Sequence, residues 1–191
     1  MIDKRKYWGI LMKRKSTMVV AIGAVSGGGK TTIASCLEDR LPNSKTIYFD
    51  DYDFNGPEDM IKWIDNGCNP DDWDLSPLIR DINQLLTESL NYIILDFPFA
   101  YLHNKTSSLI DLAMFIDTPL DIAMARRINR DFKSESAKNI ILDLDNYLTV
   151  GRRGYLNMLE TTKPNSDLIV DGSLPKSAVA GMIIQKVMNI R

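Results

Sequence analysis

The run Met18-Val19-Val20-Ala21-Ile22-Gly23-Ala24-Val25-Ser26-Gly27-Gly28-Gly29-Lys30-Thr31-Thr32 decides how this chain is read. An apolar, β-branched segment feeds a glycine-rich loop, and the loop feeds a helix-compatible segment opening with Thr31-Thr32. That is the strand–loop–helix context of a phosphate-binding P-loop. Glycines at 27, 28 and 29 permit backbone dihedrals and a close approach that side chains would block. Their N–H groups can then turn onto phosphate oxygens at the positive end of the following helix. Ser26, Gly27, Gly28, Gly29, Lys30, Thr31 and Thr32 are therefore the expected nucleotide-binding residues. Lys30 supplies a mobile charge for the β- and γ-phosphates, and the Thr31 hydroxyl is an expected Mg²⁺ ligand. One departure stands out: the strict pattern begins with glycine, and here Ala24 holds that place. The competing reading, a flexible glycine linker, does not explain the buried-strand run before the loop or the Lys-Thr-Thr after it.

Working outward, 191 residues fit one α/β domain with a full-sized core. Hydrophobic residues make up 45% and charged residues 25%, the balance of an ordinary soluble globular protein. A net charge of −2 offers nothing global to recruit nucleic acid or an anionic membrane. Cys36 and Cys68 form neither a disulfide framework nor a metal quartet, which suits a reducing cytoplasm. Residues 1–17 are locally basic, through Lys4, Arg5, Lys6, Lys13, Arg14 and Lys15. The apolar stretch between these cations is too short for a signal-peptide core. No run approaches transmembrane length. We read 1–17 as a basic arm and 18–191 as a single domain.

Within that domain, Ile33, Leu37 and Leu41 recur at helical spacing, and residues 45–49 read as a second strand leading into Asp50. Residues 58–65 read as a short helix. Leu75 to Leu90 carry apolar residues at 3–4 spacing, an amphipathic helix. Tyr92-Ile93-Ile94-Leu95-Asp96 and Leu112-Ala113-Met114-Phe115-Ile116-Asp117 are unbroken apolar strands, as a parallel sheet covered on both faces requires. A helix follows Thr118-Pro119 through Arg130. Further helix, broken near Gly151 or Gly154, spans Ile140 to Leu159. A strand at 167–171 and a helix at 175–190 close the chain. The alternation predicts a three-layer α/β P-loop fold with a mostly parallel sheet and a helical lid. Ligands sit beyond the carboxyl ends of such strands, so Asp50, Asp96 and the loop are expected to converge.

Phosphoryl transfer to an alcohol needs a base for the hydroxyl proton, a metal bridging phosphates, and cations for the moving charge. Asp50 is the expected base, and Asp96 an expected Mg²⁺ ligand, directly or through water. Arg126, Arg127 and Arg130 fall at helical spacing on one side of a helix, a guanidinium face suited to a transferring phosphoryl group. Each has a plainer alternative. Asp50, Asp51 and Asp53 resemble turn carboxylates, and the arginines can form a solvated surface paired with Asp131. His103 reads as a surface loop residue. Of the tryptophans, Trp8 and Trp63 read as packing residues.

In their order, residues 24–32, Tyr48-Phe49-Asp50-Asp51-Tyr52, Trp73-Asp74 and Arg126-Arg127-Ile128-Asn129-Arg130-Asp131 resemble the uridine kinase and nicotinamide riboside kinase group. The likeness runs from about Val19 to Gly172. It implies an enzyme that transfers phosphate from ATP, with Mg²⁺, to a hydroxyl of a small molecule, a ribosyl compound. It also implies roles: Asp50 and Lys30 in catalysis with Arg130 near the phosphates, Asp74 on ribose hydroxyls beside Trp73, and Arg127 near the sugar. Departures bear on the substrate. Asp96 stands where uridine kinases carry Glu, and Glu135 and Ala137 stand where further lid cations are expected. The hairpin that grips a pyrimidine has no counterpart. The alternative is a nucleotide-binding regulatory module without kinase activity. A GTPase switch lacks its Asn-Lys-x-Asp signature. Homo-oligomerisation is left open.

Overall fold

The computed structural model describes residues 17–190. The basic arm expected over 1–17, Trp8 included, lies outside the described residues except for Thr17. That residue is buried, and its hydroxyl donates to Leu90 O at 2.8 Å.

Five strands form one sheet: β1 (Met18–Gly23), β2 (Ser44–Tyr48), β3 (Tyr92–Asp96), β4 (Leu112–Asp117) and β5 (Leu168–Asp171). Their order is β2-β3-β1-β4-β5, and every pairing is parallel. The helices in chain order are α1 (Lys30–Arg40), α2 (Met60–Asp65), α3 (Ser76–Leu85), α4 (Asn104–Ser107), α5 (Leu120–Asp131), α6 (Ala137–Asn146), α7 (Arg152–Glu160) and α8 (Lys176–Ile190).

The unbroken apolar runs follow from cover on both faces. In β1, Val20 and Ile22 pack with Ile33 and Leu37 of α1 and with Ile183 and Val187 of α8. Their neighbours Val19 and Ala21 pack on the opposite face, with Leu78 and Ile82 of α3. The alternation is the period-2 geometry of a strand. Here both phases meet helices, so neither is polar. The expected α/β, P-loop architecture is what the chain adopts.

The local differences have identifiable causes. The strand read over 45–49 spans Ser44–Tyr48, and Phe49–Asp51 form a 3₁₀ turn. Asp50 therefore sits on a turn two residues beyond the strand. The helix read through Leu90 ends at Leu85, with Thr87 N bonded to Gln84 O at 3.0 Å in a closing turn. The short helix begins at Met60, because the Asp59 side chain accepts from the amides of Ile61 and Lys62 and sets its start. No break occurs near Gly151 or Gly154. Residues 137–160 are helical throughout, with a π-turn over Tyr147–Gly151 joining α6 to α7. Gly151 keeps ordinary right-handed dihedrals, φ −60° and ψ −36°. A Cβ on Gly154 would meet Ile64 of α2 at 3.7 Å, an ordinary van der Waals contact, so the packing of these helices does not require glycine there.

Among the described residues no helix is long and apolar enough to cross a membrane. Cys36 and Cys68 are both free.

A core truncation tests the layering. Ile94 is fully buried, paired in register with Val20 on one side and Thr46 on the other. Ile94→Ala is expected to lower unfolding free energy by about 2–5 kcal/mol in urea titration. A change below about 1 kcal/mol would contradict a sheet packed on both faces.

Candidate active site

The loop after β1 ends in glycines for two separable reasons. Gly27 (φ 78°) and Gly29 (φ 102°) adopt the left-handed region. At Gly27 a Cβ would also fall 2.1 Å from Ala123 O on α5. At Gly29, the residue capping α1, nothing lies within 4 Å of that position, so the backbone there is bare. Between them, Gly28 donates its N–H to Val25 O at 2.8 Å, and its carbonyl accepts from the Thr118 hydroxyl at 2.9 Å. Thr118, buried beyond the end of β4, thus holds one loop acceptor back from an incoming anion. Ala24 is tolerated in the first loop position because its φ is not positive; glycine is not required there.

Lys30 and Thr31, in the first turn of α1, share one carboxylate. Lys30 Nζ bonds Asp96 Oδ1, and the Thr31 hydroxyl donates to Asp96 Oδ2 at 2.6 Å. Asp96 closes β3 and is only 2% exposed. A buried carboxylate without partners is costly, and these two side chains supply them. The Thr31 and Asp96 oxygens lie side by side at the foot of the loop, a hard-oxygen pair of the kind Mg²⁺ accepts.

The loop opens on a cavity of about 630 Å³, lined by residues 24–33 together with Phe49, Asp50, Trp73, Phe99, Arg126, Arg130 and Tyr155. Asp50 is exposed to it from the 3₁₀ turn. Arg130 donates Nε to Asp131 Oδ1 at 2.6 Å and Nη2 to Oδ2 at 3.0 Å. These bonds to Asp131 push the Arg130 guanidinium up; the Asp50 charge adds to the effect, so the two facing groups feel one another. Arg130 in turn holds the Asp131 carboxyl below its ordinary range.

The other two arginines part company. Arg127 points to α6, where it bonds both oxygens of Asp143, and its Nε is buried without a partner. Arg127 is not among the cavity-lining residues. Arg126 is, and it donates to Gly172 O at 3.1 Å beyond β5. Spacing placed all three on one side of a helix but left open which would turn toward the loop.

Trp73 lines the cavity as well, in a cluster with Phe49 (6.0 Å between ring centroids) and Phe99 (6.5 Å). Gly56 covers the indole so closely that a Cβ would sit 2.6 Å from the ring. The indole nitrogen of Trp73 is buried without a partner. Asp74 is turned elsewhere: it accepts from Ser76 N at 3.1 Å and Ser76 Oγ at 2.5 Å at the start of α3, and does not line the cavity. Those bonds hold its carboxyl below the ordinary range. His103, read as a surface residue, is 1% exposed, its Nε2 lying 3.3 Å from Trp73 O. Burial beneath the Trp73 segment explains the difference. Trp63 packs edge-on against Trp73 at 6.0 Å, as expected of a packing residue.

Tyr155, Thr118 and Arg126 are the site residues that sequence reasoning passed over or left unranked. Tyr155 falls within the stretch read simply as helix from Ile140 to Leu159, and Thr118 was only half of a Thr-Pro helix start. No local signal in the chain marks either for the loop.

No protein-family model matches the chain. A uridine kinase of Borrelia garinii subsp. bavariensis is 29% identical over 177 residues, covering 80% of this chain and 85% of that protein. A uridine kinase of Lactobacillus johnsonii is 25% identical, covering 94% and 98%. Among solved structures, a putative fructose transport system kinase from Silicibacter aligns with TM-score 0.59 at 13% identity, over 83% of this chain and 91% of its own. A sugar kinase from Janibacter aligns with TM-score 0.56 at 18% identity, over 88% and 93%. In sequence the chain is thus similar to the uridine kinases, as the order of its motifs implies, and in fold to the P-loop small-molecule kinases.

Proposed function

We propose that this protein is a kinase that transfers the terminal phosphate of ATP, with Mg²⁺, to a hydroxyl of a ribosyl compound. The observation that carries the reading is that Asp50 and Arg130 line the same cavity as the glycine loop. A carboxylate facing a phosphate cradle, with a guanidinium beside it, is the minimal equipment for phosphoryl transfer to an alcohol.

In this reading the amides of Ser26 to Thr32 and the Lys30 ammonium hold the triphosphate. Lys30 exchanges its Asp96 partner for phosphate oxygens when nucleotide enters. Thr31 and Asp96 would hold Mg²⁺, which would supply charge neutralisation for the phosphates. Asp50 accepts the acceptor's hydroxyl proton as its oxygen bonds to the γ-phosphorus. The bond from that phosphorus to the β,γ-bridging oxygen breaks, and ADP leaves with the electron pair. Arg130 offsets the charge on the moving group. Arg126, tied to Gly172, serves the nucleoside end of the donor.

The acceptor side favours a flat apolar group over a bare polyol. Phe49, Trp73 and Phe99 present aromatic surface next to Asp50, and such surface suits a base carried on ribose. With Asp74 occupied by Ser76 and Arg127 by Asp143, neither is free for ribose hydroxyls unless those bonds open. We infer that Trp73, rather than Asp74, is the principal contact there. The reading places the protein in the cytoplasm, where Cys36 and Cys68 remain reduced, and leaves residues 18–191 acting as one unit.

Incubation with ATP-Mg²⁺ and a panel of nucleosides and sugars is expected to give a phosphorylated ribosyl product. Asp50→Asn is expected to lower kcat about 10²–10⁴-fold while ATP affinity holds within about twofold. Tight ATP binding without turnover on any hydroxyl acceptor would instead indicate the regulatory module.

The two arginines offer a second test. Arg127→Leu leaves Asp143 without its partner and is expected to cost about 1–3 kcal/mol of stability in urea titration. Arg130→Leu removes a side chain 61% exposed and is expected to change stability by less than about 0.5 kcal/mol. The same substitution is expected to lower kcat at least about tenfold. The opposite pattern would exchange their roles.

A further inference from the structure

Tyr155 lines the cavity, yet the reaction as derived leaves it without a part. It stands on α7, in the helical run 137–160, just beyond the π-turn that begins at Tyr147. The two rings pack edge-on, with centroids 5.3 Å apart and planes at 68°. Such turns recur at functional sites, where they re-aim the side chains that follow.

Three observations fix its surroundings. It lines the cavity together with Ser26, the third residue of the loop, whose exposed side chain pulls the phenol down. Arg130, the guanidinium that feels Asp50, also feels Tyr155. Arg127, whose Nε is buried and unpartnered, lies close to the same phenol. Tyr155 therefore faces the same cavity as Asp50 and Arg130. Burial pushes the phenol up, more than Ser26 and Arg127 pull it down, so it stays protonated at neutral pH and acts as a donor rather than a base.

We propose that Tyr155 is a further substrate-contacting residue: from the wall of the cavity it shares with the glycine loop, its hydroxyl donates to the terminal phosphate of a bound nucleoside triphosphate. A diphosphate in the loop presents no oxygen at that position, so the helix carrying Tyr155 distinguishes the two nucleotides. The contact would hold the helical run 137–160 over the site before transfer and release it once the diphosphate has formed. The inference rests on the kinase reading for its triphosphate ligand, but its test needs no turnover.

Calorimetric titration of the full chain, with Mg²⁺ and either a non-hydrolysable ATP analogue or ADP, compares wild type with Tyr155→Phe. The variant is expected to bind the analogue roughly tenfold more weakly and ADP within about twofold, as loss of one hydrogen bond to a charged group predicts. Equal weakening of both ligands would overturn the proposal, since a tyrosine that merely shapes the loop acts on both. Unchanged affinity for both would overturn it too. Should the variant fail to fold, ¹⁹F spectra of wild type labelled with 3-fluorotyrosine decide the matter. The Tyr155 resonance is expected to shift with the analogue and not with ADP; a like response to both contradicts the assignment. Failure of the kinase reading shows separately, as absence of product with every acceptor while this discrimination persists.

Discussion

One buried carboxylate ties the molecule together. Asp96 ends the strand beside β1, lies almost fully out of water, and takes its partners from the first turn of the helix that follows the loop. Desolvation makes that carboxylate costly unless both oxygens are satisfied, so Lys30 and Thr31 are held against β3. The loop is stretched between two anchors that cannot drift: the end of β1 and the start of α1. Thr118 supplies a third at the Gly28 carbonyl. The cradle is consequently shaped in advance, and preorganised amides are what make a P-loop bind phosphate well.

Around that fixed point the cavity lining combines two chemistries: backbone amides and Lys30 with Arg126, Gly172 and Leu174, and Asp50 and Arg130 with the aromatic surface of Phe49, Trp73 and Phe99. The parallel sheet explains the convergence, since every strand's carboxyl end points the same way and the loops after β1, β2 and β3 gather there. The arginine helix serves two purposes within five residues. Arg127 fastens α5 to α6 through Asp143, whereas Arg126 and Arg130 turn toward the cavity.

Much of this was legible in the chain because the signals were either periodic or chemically narrow. The apolar runs at 18–23, 92–96 and 112–117 could only be strands covered on both faces, and the sheet is built on them. A strand, three glycines and Lys-Thr-Thr left little room for another loop. What was not legible depends on side-chain direction. Helical spacing allows Arg126, Arg127 and Arg130 to share a side, but Asp143, sixteen residues along from Arg127, decides that Arg127 turns from the cavity. Asp74 followed an aromatic residue as the resemblance required, yet Ser76, two positions on, takes up its carboxylate. The helix at 137–160 was expected to break at glycine, and instead Gly151 keeps helical dihedrals and a π-turn carries the helix through. From that helix Tyr155 lines the same cavity as the loop, well over a hundred residues away in sequence, and no pattern reading connects positions so far apart.

Phosphoryl transfer as proposed requires the terminal phosphate to rest in the cradle of residues 24–32 with Asp50 facing it. A crystal structure with a non-hydrolysable ATP analogue and Mg²⁺ is the decisive test. It is expected to show the triphosphate wrapped by that loop, Lys30 moved from Asp96 onto phosphate, the metal beside Thr31, and Asp50 looking across a gap wide enough for one hydroxyl. A nucleotide bound elsewhere, or an Asp50 side chain turned away from the terminal phosphate, would contradict it.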